Sequence, residues 1–249
     1  DYENNKDYRI FVPCDKKLFN YNKDGKLVSG YSFTGSKNEI ANAPQHLLLD
    51  GKDYIIFNDI AGTVYALNRK GENILSLKST LPSNRKNYEV VVGNSLANSG
   101  IISTSSNGTV VFVTLNDKRE EINLQSFTNN HLFNLGNLSD NKSKDVIVFD
   151  EGKLSAFSLS KKEIFNIKDL EFTPSFGLQI YSLTESNNVV GITDKNLQKI
   201  YLYSQFGELM QGFPLEGNSP ILIDDINNDG TKNMIIGNSS GSLFIYSVF

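Results

Sequence analysis

Five oxygen-bearing residues fall at alternate positions late in the chain: Asp225, Asn227, Asp229, Thr231 and Asn233. Alternation in a tight loop turns oxygens to one side, and Gly230 permits the sharp bend that such a loop needs. The side chains of Asp225, Asn227, Asp229 and Asn233, with the Thr231 carbonyl, make an oxygen cage of the sort that Ca²⁺ prefers. The same residue types are turn formers, so a polar inter-strand turn is the alternative reading. The stretch 137–145 keeps the spacing (Asn137, Ser139, Asn141, Ser143, Asp145) with little of the charge and reads as a turn.

Other groups that could do chemistry are few. His46 and His131 stand 85 residues apart with no third ligand near either in the sequence, a poor basis for a metal site. Glu120-Glu121 adjoins Arg119, and Asp224-Asp225 belongs to the acidic loop, so neither pair reads as a glycosidase couple. The single cysteine, Cys14, cannot form an internal disulfide and is expected to be a small buried hydrophobe in an apolar strand. No glycine-rich phosphate loop or nucleophile elbow occurs.

The elements that position these residues follow from a repeat. Six segments, KKLFNYNKDG, GTVYALNRKG, GTVVFVTLND, GKLSAFSLSK, QKIYLYSQFG and GSLFIYSVF, align on Leu18, Val64, Val110, Leu154, Ile200 and Leu243. The intervals are 46, 46, 44, 46 and 43 residues. A period near 45 with strand-like content predicts an all-β fold, a β-propeller of six blade repeats. Each anchor strand is preceded by a short apolar run: 9–12, 54–57, 100–103, 146–149, 189–192 and 234–237. Such runs predict strands buried on both faces. Inner strands are expected at 46–49, 88–92, 131–135, 178–183 and 220–224, and polar outer strands at 26–33, 73–77, 121–127, 163–167 and 208–215. The first blade lacks an inner strand and the last lacks an outer one. Residues 1–249 are therefore expected to form one propeller domain of a longer protein, its ring completed by residues absent from this chain.

The stretch 207–247 resembles the FG-GAP/VCBS-type repeats of secreted bacterial propellers and integrin α-subunits. The likeness lies in Gly212-Phe213-Pro214, Ser219-Pro220, the acidic loop, Met234–Gly237 and Gly241–Tyr246. Residues 62–72 look like a quinoprotein-type repeat. The resemblance implies a non-catalytic, extracytoplasmic propeller (periplasmic, secreted or cell-surface) that presents loops to a protein or glycan, with calcium as a structural ion. Asn233 departs from the aspartate usual there. Quinone-dependent propellers and sialidase-type boxes rely on tryptophan, and this chain has none.

Composition agrees with a binding role. The 249 residues carry a net charge of −4 with acids and bases mixed, so no basic stripe offers itself to nucleic acid. No apolar run approaches the ~20 residues that span a bilayer. Tyr31, Phe33 and Phe213 fall on expected outer strands, where they either pack or form an aromatic surface for a sugar or partner. The expected function is a non-catalytic binding or assembly domain. The alternative is a hydrolase- or lyase-type enzyme at the channel mouth using His46, His131 and nearby acids.

Overall fold

The computed structural model describes residues 7–83, 87–139 and 144–247, and every regular element among them is a β-strand. The strands form six separate antiparallel sheets in chain order. The chain divides into two compact units, Asp1–Asn129 and Asn130–Phe249, with three sheets each.

In the first unit, β1 (Arg9–Cys14) pairs with β2 (Lys17–Asn22). The second sheet is β3 (Gln45–Leu49), β4 (Lys52–Asn58) and β5 (Val64–Leu67). The third is β6 (Tyr88–Val91), β7 (Gly100–Thr104), β8 (Val110–Thr114) and β9 (Arg119–Ile122). In the second unit, β10 (Leu132–Gly136), β11 (Asp145–Asp150), β12 (Lys153–Ser158) and β13 (Glu163–Ile167) make the fourth sheet. The fifth is β14 (Gln179–Thr184), β15 (Asn187–Asp194), β16 (Lys199–Ser204) and β17 (Leu215–Glu216). The sixth is β18 (Leu222–Asp224), β19 (Asn233–Gly237) and β20 (Leu243–Ser247).

From the second sheet onward the apolar runs are the second strands of these sheets, and β4 shows why they are continuous. Side chains alternate across a strand. Ile55 and Phe57 pack with Leu18 and Leu67 in one core, while Tyr54 and Ile56 pack with Ile101 and Val113 in another. The sheet is thus covered on both faces, and a polar residue on either would lie in a core. In the second unit β15 does the same, Val190 and Ile192 joining Ile147 and Leu154 while Val189 joins Met234 and Ile236.

A side-chain cap recurs in the hairpin after each of the first five anchor strands. Asn22 Oδ1 accepts the Asp24 and Lys26 N–H groups at 3.0 and 2.9 Å, and Asn68 Oδ1 accepts those of Lys70 and Glu72. Hydroxyls of Thr114, Ser158 and Ser204 replace the carboxamide in later repeats. Each cap fixes the bend locally, as Asx and Ser/Thr turns do. At the other hairpin, Gly62 takes φ +83°, and an added Cβ would lie 2.0 Å from the Leu81 carbonyl oxygen.

Three expectations are corrected. The outer segments 26–33 and 73–77 form only single bridges, Tyr21↔Leu27 and Leu67↔Asn73, and 208–215 adds Tyr203↔Leu209 before β17. An outer segment has one strand neighbour and a solvated edge, so its backbone groups need not all find sheet partners. The run at 9–12 is not buried on both faces, since residues of β1 alternate between half-buried and exposed. Cys14, at the end of β1, is exposed rather than buried for the same reason. Among the described residues the first sheet has no strand before β1 and the sixth none after β20.

Replacing Ile56, which is fully buried, by Ala should lower unfolding free energy by about 2–5 kcal/mol in urea denaturation. Ile245→Ala, at an exposed position of β20, should stay within about 0.5 kcal/mol of wild type.

Candidate functional site

One position links five of the six sheets to their polar chemistry. The residue just before each apolar run from the second sheet onward is Asp53, Ser99, Asp145, Asn188 or Asn233, and all five are buried. A buried polar group needs a partner. Ser99 Oγ accepts the Gly93 N–H at 3.0 Å. Asp145 Oδ2 accepts the Leu138 and Ser139 N–H groups and the Ser139 hydroxyl at 3.1, 2.7 and 2.8 Å. Asn188 donates to the Leu138 carbonyl and accepts from the Ser182 hydroxyl. In the third and fourth sheets the preceding loop bends back to supply donors.

The second sheet departs from that arrangement. Its first hairpin is only Asp50-Gly51, both in the left-handed region, so no long loop reaches Asp53. Two side chains take the loop's place. His46 Nε2 lies 2.7 Å from Asp53 Oδ1, and Arg69 Nε donates to Asp53 Oδ2. The Asp53 side chain is 6% exposed, whereas those of His46 and Arg69 are 50% and 45% exposed. Register explains the meeting. Ile55 pairs with Leu67, so two residues further Asp53 stands opposite Arg69, and Leu48 pairs with Asp53, which puts His46 on the diagonal. A groove of about 660 Å³ opens beside them, lined by Lys52, Asp53, Arg69 and Lys70 on its polar side. Its other wall includes Tyr54, Ile74, Leu75 and Leu96.

The sixth sheet carries the acidic loop between β18 and β19. Asp225 lies where its two carboxylate oxygens accept the N–H groups of Asp229 and Gly230 at 3.1 and 2.9 Å. Asp229 accepts the Thr231 N–H at 2.7 Å and the Asn227 carboxamide N–H at 2.8 Å. Gly230 has φ +85°, the bend its type suggested. The Thr231 N–H bond, then the Asn227 bond, holds Asp229 below the usual carboxylate range, and Lys232 does the same for Asp224. Both groups are fully exposed. The loop's N–H groups thus answer part of the repulsion between neighbouring carboxylates. Asn233 Oδ1 is buried and has no hydrogen-bond partner. That oxygen and the remaining lone pairs of Asp225 and Asp229 are oxygen donors of the kind a hard cation takes, but Asn227 and Thr231 turn donors toward Asp229, and among the described residues no group of three or more His, Cys, Asp or Glu side chains is placed to hold a metal ion.

His131 is fully buried in the second unit, so it does not resemble half-exposed His46. Glu121 is paired with Arg119 at 2.6 Å. Phe33 packs edge-on against Phe57 at 5.6 Å, Tyr31 tilts over Phe11 at 6.1 Å, and Phe213 packs against the core of the sixth sheet. All three aromatics pack against neighbouring side chains and stay half-buried. In the stretch 137–145, residues 140–143 lie outside the described ones. Asp53 and Arg69 were missed in the sequence because each resembles a turn residue; the hairpin register was the signal that joins them.

No family model matches the sequence, and no curated protein matches it. Solved structures do. BBS1N in complex with ARL6DN is 14% identical, with TM-score 0.62 over 95% of this chain and 74% of its own. Virginiamycin B lyase from Staphylococcus aureus is 16% identical, with TM-score 0.56 over 96% of this chain and 83% of its own. These are β-propellers. The present chain has a propeller-like fold. Dihydro-heme d1 dehydrogenase NirN in complex with DHE is also similar, at 10% identity and TM-score 0.58 over 97% of this chain and 54% of its own. A protein-bound domain, a lyase and a dehydrogenase share the fold, so fold does not choose among them.

Asp53→Ala should destabilise the protein by about 1–3 kcal/mol, because His46 and Arg69 lose a buried acceptor but keep contact with water. Urea midpoints at low and high salt measure it. A variant as stable as wild type would show that the carboxylate holds nothing.

Proposed function

We propose that this chain is a non-catalytic binding and assembly domain, an FG-GAP/VCBS-like propeller of six blade repeats that works outside the cytoplasm. One observation carries the reading. Five repeat anchors, Leu18, Val64, Val110, Leu154 and Ile200, are 2% exposed or less, whereas the sixth, Leu243, is 74% exposed. Ile245 on the same strand and Leu222 on β18 are exposed as well. The repeat therefore carries, at its last copy, an apolar residue of the kind that other copies bury under a neighbouring sheet. Exposed apolar groups gathered on one sheet are a mark of interaction surfaces. The fitting occupant is an apolar β surface from another stretch of polypeptide. A photo-crosslinking residue at position 243, in cells that make the protein, should give one discrete adduct. The same residue at exposed Glu151 should give none, and Ile245→Lys should suppress the adduct at 243. No adduct, or equal adducts from both positions, would count against the assembly reading.

The acidic loop is read as a structural calcium site held by Asp225, Asp229 and Asn233, with Asn227 and the Thr231 carbonyl joining once they turn. Bound calcium would supply positive charge between the carboxylates and a partner for the buried Asn233 oxygen. With two carboxylates, affinity should be modest, about 10⁻⁴–10⁻³ M. Melting in about 5 mM calcium against chelator should show an upward shift, since an ion that binds only the folded state stabilises it. Asp229→Ala should remove that shift and Asn233→Asp should enlarge it. An unchanged melting temperature leaves a plain Asn/Asp turn.

A further inference from the structure

We infer that the groove beside Asp53 in the first unit is a binding site for an aliphatic carboxylate. The inference goes beyond the assembly reading and shares no residue with it.

The argument begins with the departure of the second sheet from the repeat. At Ser99, Asp145 and Asn188 the buried polar residue is used inward, to hold a loop or a neighbouring strand. At Asp53 it is used outward. A sealed carboxylate orients two side chains that are themselves half exposed, and one of them, Arg69, lines an open groove. Fixing an arginine in advance lowers the ordering cost of binding an anion. Guanidinium presents five N–H donors in a planar fork matched to a carboxylate, and in Arg69 the Nε–H donates to Asp53 while the side chain stays half exposed. Lys52 and Lys70 stand in the same lining and raise the local positive potential. Only Glu72 adds a further acid to that lining, and it accepts a hydrogen bond from Asn68 at 2.6 Å.

The opposite wall determines what kind of anion fits. Leu75 and Leu96 pack against the buried core of the first unit and also face the groove. Ile74 is more exposed. Inorganic phosphate or sulfate would leave this wall wet. An organic acid with a short branched or linear aliphatic body would cover it while its carboxylate meets Arg69. Two sources carry this chemistry: a small aliphatic acid, and a peptide whose chain ends in an aliphatic residue with a free C-terminal carboxylate.

Titrations of the intact 249-residue chain, followed by amide and Arg69 Nε–H resonances in NMR, test the site with four probes. These are hexanoate, acetyl-Leu-Leu with a free carboxylate, the same peptide as its C-terminal amide, and hexylamine. Saturable shifts at residues 68–75 with either acid support the proposal. The free-acid peptide should bind about tenfold more tightly than its amide, the scale of one charge-assisted hydrogen bond. Hexylamine should not bind. Stronger binding of hexanoate points to a small acid, and stronger binding of the peptide to a chain terminus. Arg69→Gln should weaken the better acid about tenfold with its fold intact by melting. If Arg69→Gln does not fold, a Lys52→Gln/Lys70→Gln double variant takes its place, with an expected loss of about threefold. The proposal is overturned by equal binding of acid and amide or by the absence of saturable shifts with both acids. It is equally overturned if affinity is unchanged in a folded charge variant.

Discussion

A β-strand that is apolar on both sides has to be covered on both sides. That constraint, set by the second strand of each sheet from the second onward, organises much else in the molecule. In β4 it forces Ile55 and Phe57 into one core and Tyr54 and Ile56 into the next, so sheets stack face to face within each unit. It also makes polar residues along these strands conspicuous. The five buried positions from Asp53 to Asn233 stand at strand ends, and at four of them a loop or a neighbouring side chain supplies a partner. The acidic loop and the Arg69 groove both grow from that one position, through Asn233 in the sixth sheet and Asp53 in the second.

The repeat and the strand order could be read from the sequence because both depend on local pattern. Anchors at intervals near 45 residues, Val/Ile/Phe-rich runs and left-handed glycines at 62, 108, 152 and 241 are properties of short windows. Outer strands were less legible. A segment such as 73–77 has apolar residues at strand spacing, yet Leu75 and Leu77 turn to the core of the unit while the backbone makes a single bridge. Cys14 was misread because the rule for central strands was applied to β1, which in the described residues has one partner, β2.

Of the candidate sites, the acidic loop was legible because its residues are contiguous. Its internal bonding was not, since an aspartate that accepts two backbone N–H groups and one that ligates a cation have the same letter and spacing. The Asp53–Arg69 pair was hidden for a different reason. Sixteen residues separate the two, and only the register of β4 on β5 brings them together. The polar position itself escaped notice because Asp, Ser and Asn alternate there, so it is periodic in chemistry rather than in identity.

Within every sheet the strands are neighbours in space in the order in which they occur in the chain. Such up-and-down pairing asks the backbone to close only short loops, and the entropy lost in closing a loop rises with its length. Each hairpin can therefore zip next to the one before it, without waiting for distant partners, a local route that favours fast folding for a β-rich protein. The side-chain caps at Asn22, Asn68, Thr114, Ser158 and Ser204 sit at the turns where this zipping would start. A chain built this way also tolerates the gain or loss of a whole repeat better than the loss of one strand, because a deleted repeat removes its own contacts together and leaves the remaining hairpins intact.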